Sequence, residues 1–301
     1  MKTLIRGTAA NKIFTGDCKS GRLSHAYMLY FGDGANLREA LKFFALAFFG
    51  AEEGDRAERL IASEGLPDLK IYPQAGKKLT AETASAIVED AALRPLEYEK
   101  KLYIISDFES ASPIFQNKLL KILEEPPQGV YFLLGATSLS SVLDTIISRV
   151  KMLEIAPFSE REIYGALMRA GDNPLNAGAA AACGGILGAA QNMLNGAWYR
   201  EVRAAAEEIC AADTVAAAAK AASLYGDFKY KKELLSEMQR IYFGEVKKYS
   251  SDDNYRGTLS LEAAIYAVEG VNGALADLKF NANFSALLFD LTLKIADRND
   301  R

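Results

Sequence analysis

The chain has 301 residues, half of them hydrophobic and a quarter charged, which is ordinary for a soluble globular protein and long for one core, since domains usually hold about 100–200 residues. Lysine and arginine number 35 against 39 acidic residues, a formal net charge of -4, and this balance argues against a chain whose main work is coating phosphate backbones. Cys18, Cys183 and Cys210 lie far apart and form no close-spaced metal pattern, no window approaches 18 uninterrupted apolar residues, and a cytoplasmic chain in a reducing compartment with no membrane partner is expected.

Short β-rich runs alternate with helical patterns through the first half, the pattern of a three-layer α/β domain with a mainly parallel sheet. In chain order the strands are predicted at Ala26–Phe31, Leu69–Tyr72, Leu102–Ser106, Val130–Ala136 and Lys151–Ile155, and the helices between them at Asn36–Phe49, Ala81–Leu93 and Ile114–Glu125. The third helix is well punctuated. Ser112 can cap its free amides, Pro113 suits the first helical position, and Pro126-Pro127 cannot continue it.

After Ile155 the strand signals stop and the sequence turns helical and rich in alanine, a strong helix former. The fold class is therefore α/β followed by all-α. Three domains are expected: 1–156, then a small helical unit over 157–196 broken at Gly171, Asn173-Pro174 and Gly184-Gly185, then a second helical domain over 197–301. Two apolar stripes close the chain, Ile265, Val268, Val271, Leu275 and Leu278, then Phe284, Leu287, Leu288, Leu291 and Ile295, with Asn281–Asn283 as the turn and Asn283 as an N-cap.

Between Lys101 and Val150 four strings follow one another: Lys101-Leu-Tyr-Ile-Ile, Gln116-Asn-Lys-Leu-Leu-Lys-Ile-Leu-Glu-Glu-Pro-Pro127, Tyr131-Phe-Leu-Leu and Asp144-Thr-Ile-Ile-Ser-Arg149. In order and spacing they resemble the ATPase core of the AAA+ clamp-loader subunits of bacterial DNA polymerase III. Leu23–Tyr27 is similar to that family's lead into the phosphate-binding loop, Gly184–Ala189 to its lid motif, and Phe280–Phe284 to its C-terminal collar. The resemblance implies an AAA+ (P-loop NTPase-like) domain, a helical lid, and a helical collar through which subunits assemble.

A phosphate-binding loop needs glycines for close backbone approach, a lysine for the β- and γ-phosphates, and a hydroxyl for magnesium. Laid on the family's GxxGxGKT, this chain reads Phe31-Gly32-Asp33-Gly34-Ala35-Asn36-Leu37-Arg38. Gly34 is the glycine kept in register, Leu37 takes the lysine position and Arg38 the hydroxyl position. The family's metal-supporting Asp-Glu pair is Ser106-Asp107, and Gly184–Ala189 lacks the arginine that active subunits carry. No bound ATP and no intrinsic ATPase activity are expected of this chain.

Ser148-Arg149 stands where the family's Ser-Arg-Cys motif does, with Val150 in place of cysteine. The resemblance implies that Arg149 acts across a subunit boundary as an arginine finger on a neighbour's γ-phosphate. Many relatives carry four zinc-binding cysteines in the region of Gly50–Gly65. This chain has none there, and no zinc is expected. His25, the single histidine, is expected to be a structural hydrogen-bonding residue beginning a buried strand. The implied role is the delta-prime type, a non-hydrolysing stator assembled with gamma/tau and delta subunits and acting indirectly on a sliding clamp and primed DNA. Two alternatives stand beside it: a divergent ATPase of the same family, or a DNA-binding adaptor with an AAA+ fold.

Overall fold

The computed structural model describes all residues except Ala75, Pro174, Asp253, Lys279, Asn281, Asp300 and Arg301. The break read at Pro174 and the turn residue Asn281 lie outside the described residues. The chain divides into two compact units, one formed by Met1–Asp172 with Cys183–Ala189, the other by Asn173–Ala182 with the chain from Ala190 onward.

The first unit is built on a five-stranded sheet in the order β2-β3-β4-β1-β5, with β1 Ala26–Phe31, β2 Leu69–Tyr72, β3 Lys101–Ile105, β4 Val130–Ala136 and β5 Lys151–Ile155. Every pairing is parallel. Helices cover both faces of such a sheet, so its inner strands read as unbroken apolar runs. All five residues of β3 are buried, including Lys101, whereas the edge strands β2 and β5 keep exposed or half-buried positions. The third strand lies one residue earlier than predicted, so Ser106 falls just beyond it.

The helices of this unit are α1 Lys2–Gly7, α2 Ala9–Ser20, α3 Gly34–Phe49, α4 Arg56–Ala62, α5 Ala81–Ala91, α6 Pro113–Glu124, α7 Asp144–Ile147 and α8 Glu160–Ala170. On α6 the Ser112 side chain accepts from the Phe115 amide and Pro113 opens the helix. Helices α1, α2 and α4 were not foreseen. They bury few side chains: Leu4 and Ile5 on α1, Ala10 and Phe14 on α2, Ile61 on α4. Side chains fix two of their starts, Thr8 that of α2 by accepting from the Asn11 amide and Asp55 that of α4 by accepting from the Glu58 amide, while α1 has no side-chain cap. Helices α5 and α6 pack on one side of β3 and β4 through Ile87, Phe115 and Leu119. On α3, Leu37 and Leu41 lie directly over Gly135 of β4, where a β-carbon would strike both leucines.

The second unit is helical: α9 Asn176–Ala182, α10 Leu187–Asn195 (whose first residues belong to the first unit), α11 Ala197–Cys210, α12 Val215–Tyr225, α13 Lys231–Ser251, α14 Leu261–Leu278 and α15 Phe284–Asn299. The stripe read on α15 is close to its buried face, with Phe284, Leu288, Leu291 and Ile295 inside, and Asn283 caps the helix by accepting from the Ala286 amide. The stripe read on α14 holds in part: Val271 is buried and Val268, Leu275 and Leu278 pack half-buried against the core, but Ile265 falls outside it. The buried line of the helix is Ala263, Ala264, Ala267, Val271 and Ala274, while Ile265 is 44% exposed. Small side chains let neighbours approach closely, and at Gly270 a β-carbon would meet Leu291 at 2.7 Å.

Candidate functional site

In the sheet, the chain leaves β1 through α3 for the far edge strand β2, returns through β3 to β4, and then places β5 on the other side of β1. The carboxyl end of β1 is thus a topological switch point, the place where open α/β sheets take ligands. Phe31–Arg38 turns there from β1 into α3. Gly32 and Gly34 are exposed, while Asp33 is 2% exposed.

Each side chain of this turn has other work. Leu37, in the lysine position, is buried against Gly135. Arg38 makes a two-pronged pair with Glu64, Nε to Oε1 at 2.8 Å and Nη2 to Oε2 at 2.6 Å, and donates from Nη1 to the Pro73 carbonyl at 3.0 Å. These hydrogen bonds hold the Glu64 carboxyl below its ordinary range. Asp33 Oδ2 accepts from the Gly188 amide at 2.8 Å and from Asn36 Nδ2 at 2.9 Å. A magnesium-nucleotide fits poorly among these residues. There is no lysine for the phosphates, no free hydroxyl for the metal, and a carboxylate stands in the loop.

Ser106, just past β3, is buried and donates to Asp107 Oδ2 at 3.0 Å. Asp107 itself is exposed and takes a left-handed backbone, φ 52°. Two residues missed by the sequence reading sit beside them. Glu109 Oε1 accepts from the Thr137 amide at 3.0 Å and from its hydroxyl, tying the loop after β3 to the end of β4. The Thr137 methyl lies 3.3 Å from where a β-carbon on Gly34 would be. A hydroxyl residue just past a buried strand was the available signal, but nothing local links it to a glutamate 28 positions away.

Helix α6 fixes the Arg149 loop from both ends. At its start Gln116, fully buried, donates from Nε2 to the Ala111 carbonyl at 3.1 Å and the Ser141 carbonyl at 2.8 Å, and its Oε1 accepts from the Leu143 amide at 2.9 Å. Leu143 is the N-cap residue of α7, so this amide sets where α7 begins. At the other end Glu124 meets Arg149 Nη2 at 3.3 Å. Arg149 Nη1 donates to the Thr145 carbonyl at 3.0 Å and to Ser148 Oγ at 3.2 Å, while Nε is buried without a hydrogen-bond partner. The Arg149 side chain stays about one third exposed and that of Glu124 is 57% exposed, so the guanidinium is held but accessible. Val150 packs against the core below.

Among the described residues no three His, Cys, Asp or Glu side chains group as a metal site, and no helix is long and apolar enough to cross a membrane. Burial pushes the Cys18 thiol up to about 11 and the Cys210 thiol up to about 12, the opposite of an activated nucleophile. The reading of His25 is corrected. Its side chain is exposed just ahead of β1, and its backbone carbonyl makes the structural contact, accepting from the Phe132 amide at 2.8 Å.

The sequence profile of the family described as "DNA polymerase III, delta subunit" matches residues 7–159, just over half of the chain. "DNA polymerase III subunit delta'" of Bacillus subtilis is 32% identical over 169 residues, which span 54% of this chain and 51% of that protein. "DNA polymerase III subunit gamma" of Buchnera aphidicola is 30% identical over 93 residues, 31% of this chain and 25% of that one. The chain thus spans about half the length of the first of these relatives and a quarter of the second. Among solved structures, a DNA polymerase III gamma subunit-related protein of Thermotoga maritima aligns over 96% of this chain and 99% of its own, with 16% identity and a TM-score of 0.43.

Proposed function

The chain belongs to the DNA polymerase III delta subunit family, and we propose that it serves there as a non-hydrolysing, delta-prime-type subunit of the clamp loader. In this reading the AAA+ domain (1–156), lid (157–196) and collar (197–301) assemble with gamma/tau and delta subunits to load a sliding clamp on primed DNA. The chain itself takes neither ATP nor zinc. Arg149 acts on the nucleotide held by a neighbour, with Ser148 supporting it.

One contrast carries the proposal. The turn after β1 has given its phosphate-facing positions to other work, Leu37 in the core and Arg38 on Glu64, while Arg149 remains on an accessible turn anchored at two points. Charge gathers on a transferred phosphoryl group, and a guanidinium supplied by another subunit neutralises it. Arg149 is tethered by single hydrogen bonds and a solvent-exposed ion pair, so little holds it back from such a partner.

The test is reconstitution with gamma/tau-type and delta-type subunits carrying wild-type, Arg149→Ala or Arg149→Lys protein. Removing an arginine finger costs roughly 10³ to 10⁵ in rate at the site it serves. Other sites in the ring keep their own arginines, so total ATPase should fall only in part and clamp loading further. Lysine should rescue poorly, lacking the planar fork. Equal activity in an intact complex would make Arg149 a structural residue. ATP binding by the isolated chain tighter than about 10 μM, or about 7 kcal/mol, would favour a divergent ATPase instead.

A further inference from the structure

We propose that Asp33 is a resident anion. Its carboxylate fills the anion seat formed by the turn after β1 and the amino end of α10, and it pins the Gly184–Gly188 turn to that loop with no phosphate bound. This rests on the reading that the chain takes no nucleotide, and it identifies what stands in the nucleotide's place.

Aspartate is a favoured N-cap residue, and Asp33 occupies the N-cap position of the 16-residue helix α3. Yet its side chain makes no cap hydrogen bond there. It reaches instead to the amide of Gly188, 155 positions away, in the first turn of the nine-residue helix α10. Helix amino ends attract anions because their free N–H groups and the helix dipole point the same way. Here one buried carboxylate lies at two of them.

The site is shaped around that carboxylate. A β-carbon on Gly188 would collide with Asp33 Oδ1 and would lie 2.7 Å from the Ala35 β-carbon, so a glycine is required there. Three residues earlier, Gly185 takes φ +81°, and its carbonyl accepts from the Phe158 amide at 2.9 Å, a second tie on the same turn. Burying a carboxylate is costly unless it is hydrogen-bonded, and Oδ1 is buried with no hydrogen-bond partner while Oδ2 takes both donors. Arg38 is engaged by Glu64, so the donors of the seat are the Gly188 backbone amide and the Asn36 side-chain amide, and the anion class that suits a loop-to-helix turn of this kind is a tetrahedral oxyanion such as inorganic phosphate.

The experiment uses the full chain as wild type, Asp33→Ala and Asp33→Asn, melted in sodium chloride and in sodium phosphate of equal ionic strength, with amide exchange followed at 185–189. Asp33→Ala should melt lower than wild type and regain more in phosphate than wild type gains. Its Gly188 amide should exchange about tenfold faster, as for loss of one charge-assisted hydrogen bond. Asp33→Asn keeps the shape without the charge and should also speed Gly188 exchange, which preserves the test if the alanine variant does not fold. Wild-type exchange rates in both variants, or a phosphate response equal to that of wild type, would overturn the resident anion alone. Protection of the wild type by magnesium-ATP would overturn the no-nucleotide reading and this inference with it.

Discussion

Replacing Gln116 should damage the first unit far more than its position near the start of a helix suggests. The side chain is fully buried and its amide serves three backbone groups: the carbonyls of Ala111 and Ser141 and the N–H of Leu143. Gln116→Met keeps the volume and removes all three bonds. An unsatisfied buried polar group costs about 1–3 kcal/mol. Ala111 is buried, Leu143 half-buried and Ser141 exposed, so two groups bear most of that penalty and the third recovers water. The total is about 3–5 kcal/mol, and at roughly 2–4 °C per kcal/mol the melting transition of this unit should fall by about 10 °C. Gln116→Ala adds a cavity and should fall further. Calorimetry measures the transition, and hydrogen exchange at the Leu143 amide locates the damage. A Gln116→Met loss below about 1 kcal/mol, the scale of a surface change, would mean that this amide does not hold the Arg149 loop.

The sequence made the strands legible because the inner strands of a covered parallel sheet run apolar along nearly their whole length, as Leu102–Ile105 and Val130–Ala136 do. Helix α6 was legible because Ser112 and Pro113 mark its start chemically. Helix α14 shows the limit. Large apolar residues drew the stripe toward Ile265, but close packing against α15 selects alanines and Gly270, whose hydrophobic signal is weak. At the site, Leu37, Arg38, Ser106 and Asp107 could be placed because each holds a fixed position in a motif. What those residues do instead could not be read. The Arg38–Glu64, Thr137–Glu109 and Asp33–Gly188 contacts join positions 26, 28 and 155 apart, and only the fold brings them together.

Arg149→Ala should leave the isolated chain folded, with a loss of about 1 kcal/mol or less, because its partner Glu124 is largely exposed and such pairs contribute little; a melt lowered by many degrees would count against its assignment to an interface. The Asp90 carboxyl is held below its ordinary range: burial raises it, but hydrogen bonds from Tyr103 and Lys101 together outweigh that. Its stabilisation is therefore complete above the ordinary range near about pH 4 and drains away as pH falls through the lower folded value. Asp90→Asn should lose stability at neutral pH and show a shallower acid limb, whereas parallel pH curves would refute this. The final case separates a core from a docking face in the second unit. Leu288 is fully buried among Phe284, Leu291 and Ile295, whereas the adjacent Phe289 is 42% exposed. Leu288→Asp places an unpaired carboxylate in that core at a cost of several kcal/mol, so the isolated chain should already melt much lower. Phe289→Asp should leave the melt within about 0.5 kcal/mol of wild type. If Leu288→Asp instead melts normally and only recovery of a reconstituted complex suffers, the buried line of α15 faces a partner subunit and its packing within this unit is wrong.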